Sequence, residues 1–163
     1  MAVRPILRWP DPSLTVACTP AVLDDSLRSL ASDMLETMYA APGRGLAAPQ
    51  IGVTLRLFVM DVTWREGTAD PVVMVNPEVI WQSESRVTGP EGCLSIPGVV
   101  AEVERSAEIR MRWTDLSGAR QDRVLTGFSA ICAQHEYDHL DGIVTFDRLG
   151  AAARAQALAE YVA

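Results

Sequence analysis

The only two histidines of the 163-residue chain, His135 and His139, lie four positions apart with Glu136 between them. Positions i and i+4 of a helix share one face, so both imidazoles can bind one divalent metal ion. A carboxylate beside such an ion can carry protons during hydrolysis. The spacing is typical of metal-dependent hydrolases, although the same pattern also arises by chance on surface helices.

The preceding residues favour the metal site over the chance match. Phe128, Ile131 and Cys132 form an apolar stripe that leads into His135 and His139. The face that carries the histidines is therefore predicted to point into the protein. Two histidines buried without partners would cost free energy, and a bound metal ion satisfies both.

A third ligand is expected, because two histidines seldom complete a site. The metzincin pattern is excluded because Thr145 occupies the place of its third histidine. Glu160 is the only downstream glutamate, and it leaves a gluzincin-like protease open as an alternative. Cys132 shares the helical face but lies about 10.5 Å along the axis from His139, too far for one ion with bonds of about 2.0–2.3 Å.

Cys18 is a poor candidate for the third ligand, because no residue that could take part in catalysis lies near it in the sequence. Cys93 is therefore the remaining cysteine and the predicted third ligand. Glycines and prolines occur on both sides of Cys93 within residues 89–98. They indicate a turning backbone that can bring a thiolate to the histidines from outside the helix. Three protein ligands leave a fourth position for water, which is the arrangement of catalytic rather than structural sites.

A further segment, residues 43–52, is rich in small residues and contains one neutral amide, Gln50. Small residues let another backbone approach closely. The Gln50 amide can donate to an oxyanion that develops during hydrolysis. A phosphate-binding loop is disfavoured, because no Lys-Ser/Thr pair follows and Pro49 interrupts the helix start.

Together, these three segments resemble the motifs of peptide deformylases. That family carries Gly-x-Gly-Leu-Ala-Ala-x-Gln, Glu-Gly-Cys-Leu-Ser and Gln-His-Glu-x-Asp-His-Leu, which stand here complete and in order at residues 43–50, 91–95 and 134–140. The resemblance covers about residues 6–149. It implies an α+β fold in which small mixed or antiparallel sheets surround a central metal-binding helix.

The resemblance also implies an activity, the removal of the N-formyl group from formyl-methionyl peptides with release of formate. Cys93, His135 and His139 would hold one divalent ion, Fe²⁺ in the cell with Zn²⁺ or Ni²⁺ as substitutes. Glu136 would take a proton from the attacking water and deliver it to the leaving amine.

The resemblance gives roles to four further residues. A fifth residue, Arg44, departs from the family pattern. Gln50 and the backbone N–H of Leu94 would stabilise the oxyanion, while Gly45 and Gly92 would leave room for the peptide to lie as an added strand. Arg44 replaces the small apolar residue that the family usually has near the methionine pocket. Its stem can line the pocket with its head in water, or it can alter which peptides fit. A deformylase-like protein with an altered substrate or little turnover is therefore a second alternative.

The charge of the chain bears on its partners. The net charge is −7, the isoelectric point is near 4.8, and all fourteen basic residues are arginines. This balance argues against nonspecific nucleic-acid binding. Only Arg154 follows Arg148, so no stable ribosome contact is expected.

The chain is expected to be one catalytic domain, residues 1–163, in the cytoplasm. Its length and its 48% hydrophobic content suit one domain with a hydrophobic core of its own. The sequence has no signal-peptide core and no membrane span. Three cysteines, one of them assigned to metal, do not make a disulfide framework, and a reducing cytosol would protect the Cys93 thiolate.

Periodicity predicts the secondary structure that must position these residues. Helices are expected over 26–40, capped by Asp25, over 128–140, ended by Gly142, and over 150–162. Strands are expected over 57–63, 72–75 and 109–115, the last with alternating apolar and charged residues.

Overall fold

The computed structural model describes residues 2–161, and its seven strands form two antiparallel sheets. They are β1 (Gly45–Ala47), β2 (Leu57–Met60), β3 (Val72–Gln82), β4 (Arg86–Cys93), β5 (Ile96–Ser106), β6 (Glu108–Thr114) and β7 (Arg120–Thr126). Five strands form one sheet in the order β1-β2-β3-β6-β7, and β4 with β5 forms a separate hairpin. The predicted α+β class with small antiparallel sheets is confirmed.

Three α-helices accompany the sheets: α1 (Asp25–Ala40), α2 (Gly127–Leu140) and α3 (Ala151–Glu160). The cap of α1 is Asp24 rather than the predicted Asp25, since the Asp24 carboxylate accepts a hydrogen bond from the Leu27 N–H at 2.8 Å. Gly142 follows the end of α2 as predicted, with a φ of 74° that favours glycine.

The end of α3 differs from the prediction. The helix stops at Glu160, and Tyr161 is extended, with its hydroxyl donating to the Trp9 carbonyl at 2.6 Å. This contact turns the chain back onto the N-terminal segment. The predicted last helical residue, 162, lies outside the described residues.

The predicted strand bounds were wrong at two places. β2 ends at Met60, and the Asp61 carboxylate that follows accepts from the Tyr39 hydroxyl and from the Asp70 N–H, which holds residues 61–70 as a loop. β3 continues seven residues past the predicted end at 75. The Asn-Pro pair at 76–77 argues against a continuous strand in the sequence. In the structure, the strand continues through this pair with a shift in its register against β6.

The short strand β1, the β4–β5 hairpin and β7 were not predicted. The segment 89–98, expected to be a turning backbone, is mostly extended and turns only between Cys93 and Ile96. Glycines and a proline in β4 conceal its strand pattern. β7 is a mostly exposed edge strand, so it lacks the apolar alternation by which strands are recognised.

The five-stranded sheet lies between α1 and α2. Alternate residues of β2 point to opposite faces. Phe58 and Met60 share a cluster with Ala130 and Ala133 of α2, whereas Leu57 and Val59 of β2 pack with α1 through Leu27, Leu30, Met34 and Met38. The alanines leave room for α2 to approach the sheet closely.

The β4–β5 hairpin meets α2 on another side. Gln134 of α2 accepts from the Ser106 N–H at 3.1 Å and donates to the Ser106 carbonyl at 2.9 Å. The hairpin therefore delivers the end of β4 to the side of α2 that carries the histidines. No helix within residues 2–161 has the length and apolar character that a membrane span requires. That residues 1–163 form a single domain stays a prediction.

Candidate active site

Cys93, His135 and His139 meet where β4 ends against α2. One ligand atom from each of the three lies within 4.8 Å of the others, and Cys93 Sγ is 3.5 Å from His139 Nε2. Cys93 is the last residue of β4, while the histidines occupy successive turns of α2. A thiolate and two imidazoles are a donor set that suits Zn²⁺ and Fe²⁺ alike.

A buried carboxylate orients His135. His135 Nδ1 lies 3.0 Å from a Glu91 carboxylate oxygen. The other ring nitrogen is therefore the one that can bind a metal ion. Burial opposes ionisation of Glu91, but hydrogen bonds from Arg105 and His135 outweigh it and lower its pKa to about 2.

The support of Glu91 extends into a buried ion network. Arg105 donates two hydrogen bonds to Glu91, at 2.9 and 2.8 Å, and a third to Asp138 at 2.6 Å. Asp138 also accepts two hydrogen bonds from Arg148. Arg105 is only 4% exposed, so its charge depends on these partners. The network ties β4, β5 and α2 together behind His135.

Sequence reasoning assigned no role to the members of this network. Glu91 and Asp138 lie inside two of the three motifs, but Arg105 and Arg148 lie outside all of them. One signal was available for Arg105. In the sequence, the apolar residues at 99, 101 and 103 alternate with Glu102 and Glu104, and Arg105 falls on the apolar side of this period of two.

Gln50 is almost fully buried and is fixed at both ends of its amide. Its carbonyl oxygen accepts from the Ala47 N–H at 2.9 Å, so its NH₂ group faces the other way, 3.0 Å from Ser95 Oγ and 3.8 Å from Cys93 Sγ. The amide donor therefore points toward the metal ligands. Ser95, which the sequence did not single out, completes this contact.

Glu136 lies between the histidines on α2 and is 4% exposed. One of its carboxylate oxygens is buried without a hydrogen-bond partner among residues 2–161. Burial raises the pKa of Glu136 to about 7, although His135 acts to lower it. A carboxyl group with that pKa can both accept and release a proton near neutral pH.

The electrostatics of the site favour a positive charge between its ligands. Burial holds the pKa of His139 well below its usual range, so this imidazole is neutral, as a ligand must be. Burial opposes protonation of His135, but Glu136, Cys93 and Glu91 outweigh it and raise the pKa of His135 well above its usual range. This preference for positive charge, the unpartnered Glu136 oxygen and the donor set all fit a divalent ion.

Gly45 and Gly92, expected to leave room for a peptide, differ in their surroundings. A Cβ at Gly45 would lie 2.5 Å from a Glu136 carboxylate oxygen, whereas a Cβ at Gly92 would meet nothing within 4 Å. Gly45 therefore makes room for Glu136. Gly92 borders open space in the cleft.

Replacing Gly45 with alanine is expected to lower turnover about 10- to 10²-fold with the metal content unchanged. The added methyl group must displace the Glu136 carboxylate, and a misplacement of about 1 Å can cost 10²-fold. Steady-state rates at matched metal content test this. Gly89→Ala is the control, since its Cβ would meet nothing within 4 Å, and equal rates for both variants would contradict the assignment.

The other ligand candidates lie outside this group. Cys132 is buried, with its Sγ 3.6 Å from the Arg44 carbonyl, and it is not part of the metal-ligand group. Cys18 is buried in the core beneath the sheet. Glu160 is exposed on α3, where Gln156 donates to it at 3.3 Å, and it is not part of the metal-ligand group found among residues 2–161.

A cleft of about 550 Å³ opens onto the site. Its floor includes Gln50, Cys93, His135 and Glu136, and its walls include Arg44, Gly92, Leu94, Phe128 and Ile131. The Arg44 guanidinium lies 5.2 Å from the centre of the Phe128 ring and pairs with Glu66 at 2.8 Å. Arg44 therefore lines the cleft with its guanidinium held by Phe128 and Glu66, and its effect on the choice of peptide stays a prediction.

The family model for polypeptide deformylase matches residues 3–155. The chain belongs to this family. It is 44% identical over 162 residues to a peptide deformylase-like protein of Brucella melitensis, covering 99% of this chain and 97% of that one. It is 49% identical over 150 residues to the peptide deformylase of Alkalilimnicola ehrlichii, covering 91% and 83%. The crystal structure of a peptide deformylase from Legionella pneumophila superposes with a TM-score of 0.91 at 39% identity, covering 98% and 93%.

These comparisons confirm the resemblance derived from the three motifs, and with it the fold class. They also confirm the assignment of the chain as an enzyme of a metal-dependent hydrolase family. The group of Cys93, His135 and His139 could hold a metal ion, which is consistent with membership of a metalloenzyme family.

Proposed function

We propose that this protein hydrolyses the formamide bond of formyl-methionyl peptides, releasing formate and a free N-terminal amine. The observation that carries the proposal is that Cys93, His135 and His139 converge, and that Cys93 and His135 line one cleft together with Gln50 and Glu136. Membership of the polypeptide deformylase family supports it.

Cys93, His135 and His139 would hold the ion, with Fe²⁺ proposed in the cell and Zn²⁺ or Ni²⁺ as substitutes. When bound, a divalent ion supplies a nucleophilic water near neutral pH and polarises the formyl carbonyl. The donor set does not choose among these three metals. Glu91, held by Arg105, keeps His135 oriented for binding.

Glu136 is the proposed proton carrier. It would take a proton from the attacking water and give it to the leaving amine, and its pKa of about 7 suits both transfers. The Gln50 amide and the Leu94 backbone N–H would donate to the oxyanion as the formyl carbon becomes tetrahedral. Gln50 needs no reorganisation for this, because Ala47 and Ser95 already hold its amide.

The peptide would enter along the open side of the cleft. Gly92 borders unfilled space, so an extended peptide could pair with the backbone there as an added strand. Phe128, Ile131 and the stem of Arg44 would line the pocket for the methionine side chain. An altered peptide preference caused by Arg44 is the second candidate function, because Arg44 lines the cleft with its guanidinium over the Phe128 ring.

Release of formate from formyl-Met-Ala-Ser by protein reconstituted anaerobically with Fe²⁺ tests the proposal. Acetyl-Met-Ala-Ser is the matched control, since its extra methyl group should block turnover in a site built for formyl. Formate from the first peptide alone is expected. Cleavage of an internal peptide bond without formate would instead support a protease and overturn the proposal.

We also propose that the protein acts in the cytoplasm. All three cysteines are free and buried. A reducing compartment keeps a thiolate such as Cys93 from oxidation, which would remove a ligand.

We expect no stable contact between this chain and the ribosome. Binding to ribosomal RNA depends on clustered lysines and arginines, whereas this chain has a net charge of −7. The one arginine of α3, Arg154, lies 3.8 Å from Asp147. Co-sedimentation at near-physiological salt should leave the protein in the supernatant. Salt-sensitive pelleting that is lost on deleting residues 150–163 would contradict this.

A further inference from the structure

The mouth of the cleft carries charges that the proposed hydrolysis does not use. Arg44 and Arg65 both line the cleft, and Glu66 pairs with Arg44. We call these three residues the cationic rim. Two arginines against one glutamate leave one positive charge at the mouth, on a chain whose net charge is −7.

Arg44 is already balanced within the protein. Its guanidinium donates to Glu66 at 2.8 Å and lies over the Phe128 ring. Its Nε is buried without a hydrogen-bond partner in the described chain. The positive charge left over at the rim is therefore that of Arg65.

Arg65 is exposed, and within residues 2–161 its guanidinium makes no hydrogen bond or ion pair. It nevertheless borders the cleft. All five of its N–H donors are available, in a planar arrangement that matches a carboxylate.

The backbone that carries Arg65 is anchored to the active-site segment. The neighbouring Trp64 donates its indole N–H to the Gly43 carbonyl at 2.8 Å, and its ring contacts Tyr39 edge-on. The buried Asp61 carboxylate accepts from the Tyr39 hydroxyl at 2.6 Å and from the Asp70 N–H at 3.1 Å. Both ends of the loop 61–70 are thus held, so Arg65 stays beside the cleft.

We propose that Arg65 is a specificity residue that binds an acidic side chain of the substrate at the second or third peptide position. This rests on the proposed deformylase function, because a peptide whose first side chain fills the pocket must extend its next residues past the mouth. The overall negative charge opposes such a substrate. At physiological salt, however, exposed charges more than about 8 Å away are largely screened, so the local arginine dominates.

Paired peptides that differ in one charge test this. For formyl-Met-Glu-Ser against formyl-Met-Gln-Ser, the ratio of kcat/KM is expected to be about two to five, the range of an exposed ion pair, at about 0.15 M salt, where the net charge of the chain is largely screened. The same comparison is made with the acidic residue at the third position. Arg65→Gln should bring the ratio to about one, and Arg65→Glu should invert it. Added salt should lower the wild-type ratio toward one.

The control is Arg120→Gln, which removes an equally exposed arginine from β7, outside the cleft lining. Its ratio should equal that of the wild type. A wild-type ratio near one at both positions, or equal changes in Arg65→Gln and Arg120→Gln, would overturn the proposal.

A binding measurement separates this proposal from the proposed function. Affinities of the same peptides are measured by calorimetry for metal-loaded Glu136→Gln protein, with and without Arg65→Gln. The Glu-to-Gln affinity ratio should again be about two to five and should depend on Arg65. Absence of formate from every peptide would contradict the hydrolase, whereas the affinity ratio decides the role of Arg65.

Discussion

Replacing Glu136 with glutamine is expected to lower turnover of formyl-methionyl peptides by at least about 10²-fold while the metal content stays at the wild-type level. The substitution keeps the size of the side chain but removes its ability to accept a proton, and general acid–base catalysis contributes about 10²–10⁴-fold. Glu136 is buried between the two histidines, so no bulk water can replace it efficiently.

Three measurements on Glu136→Gln test this: metal analysis, steady-state kinetics and single-turnover formate release. Glu102→Gln on the exposed side of β5 is the matched control and should turn over normally. Turnover of Glu136→Gln within about threefold of the wild type, well below the loss expected for removal of a general acid–base, would remove Glu136 from the mechanism.

Replacing Arg105 with alanine is expected to reduce the free energy of unfolding by about 3–5 kcal/mol, the range for breaking a buried ion pair by removing one partner. Glu91 would lose both of its arginine hydrogen bonds, and Asp138 would keep only Arg148. Because Glu91 orients His135, metal affinity should fall as well, by about 10- to 100-fold.

Denaturant titrations at matched metal content measure the loss of stability. Arg112→Ala is the control, because Arg112 pairs with Asp122 on the surface and Arg110 binds the same carboxylate. That substitution should cost less than about 1 kcal/mol. Similar losses in the free energy of unfolding for both variants would show that the buried ion network stabilises the fold no more than a surface ion pair does.

The chemistry of the site was predictable because its residue types are local and scarce. Two histidines one helical turn apart with a glutamate between them predict a metal site on one helix face. The long axial distance from Cys132 to His139 points to Cys93 instead, and in the structure Cys93 Sγ lies 3.5 Å from His139. The three motifs then predict the family and its fold.

What sequence reasoning missed is set by contacts between distant segments. Arg105 meets Glu91 fourteen residues away and Asp138 thirty-three residues away, and no local pattern encodes such a pairing. Gly89, Pro90 and Gly92 mask β4, although the alternation along 99–105 does mark β5. That Gly45 also makes room for Glu136 has no local signal in the sequence, because Glu136 is ninety-one residues further along the chain.

The most direct test of the central claim is the metal content of two cysteine variants, Cys93→Ala and Cys132→Ala. Both remove a buried thiol, but only Cys93 belongs to the metal-ligand group. Each protein is dialysed against Co²⁺, and bound metal is measured together with the thiolate-to-cobalt absorption in the near ultraviolet. Wild type and Cys132→Ala should retain about one ion and the absorption band, consistent with a single three-ligand site, and Cys93→Ala should lose both. Retention of metal and band in Cys93→Ala, with their loss in Cys132→Ala, would contradict the assignment.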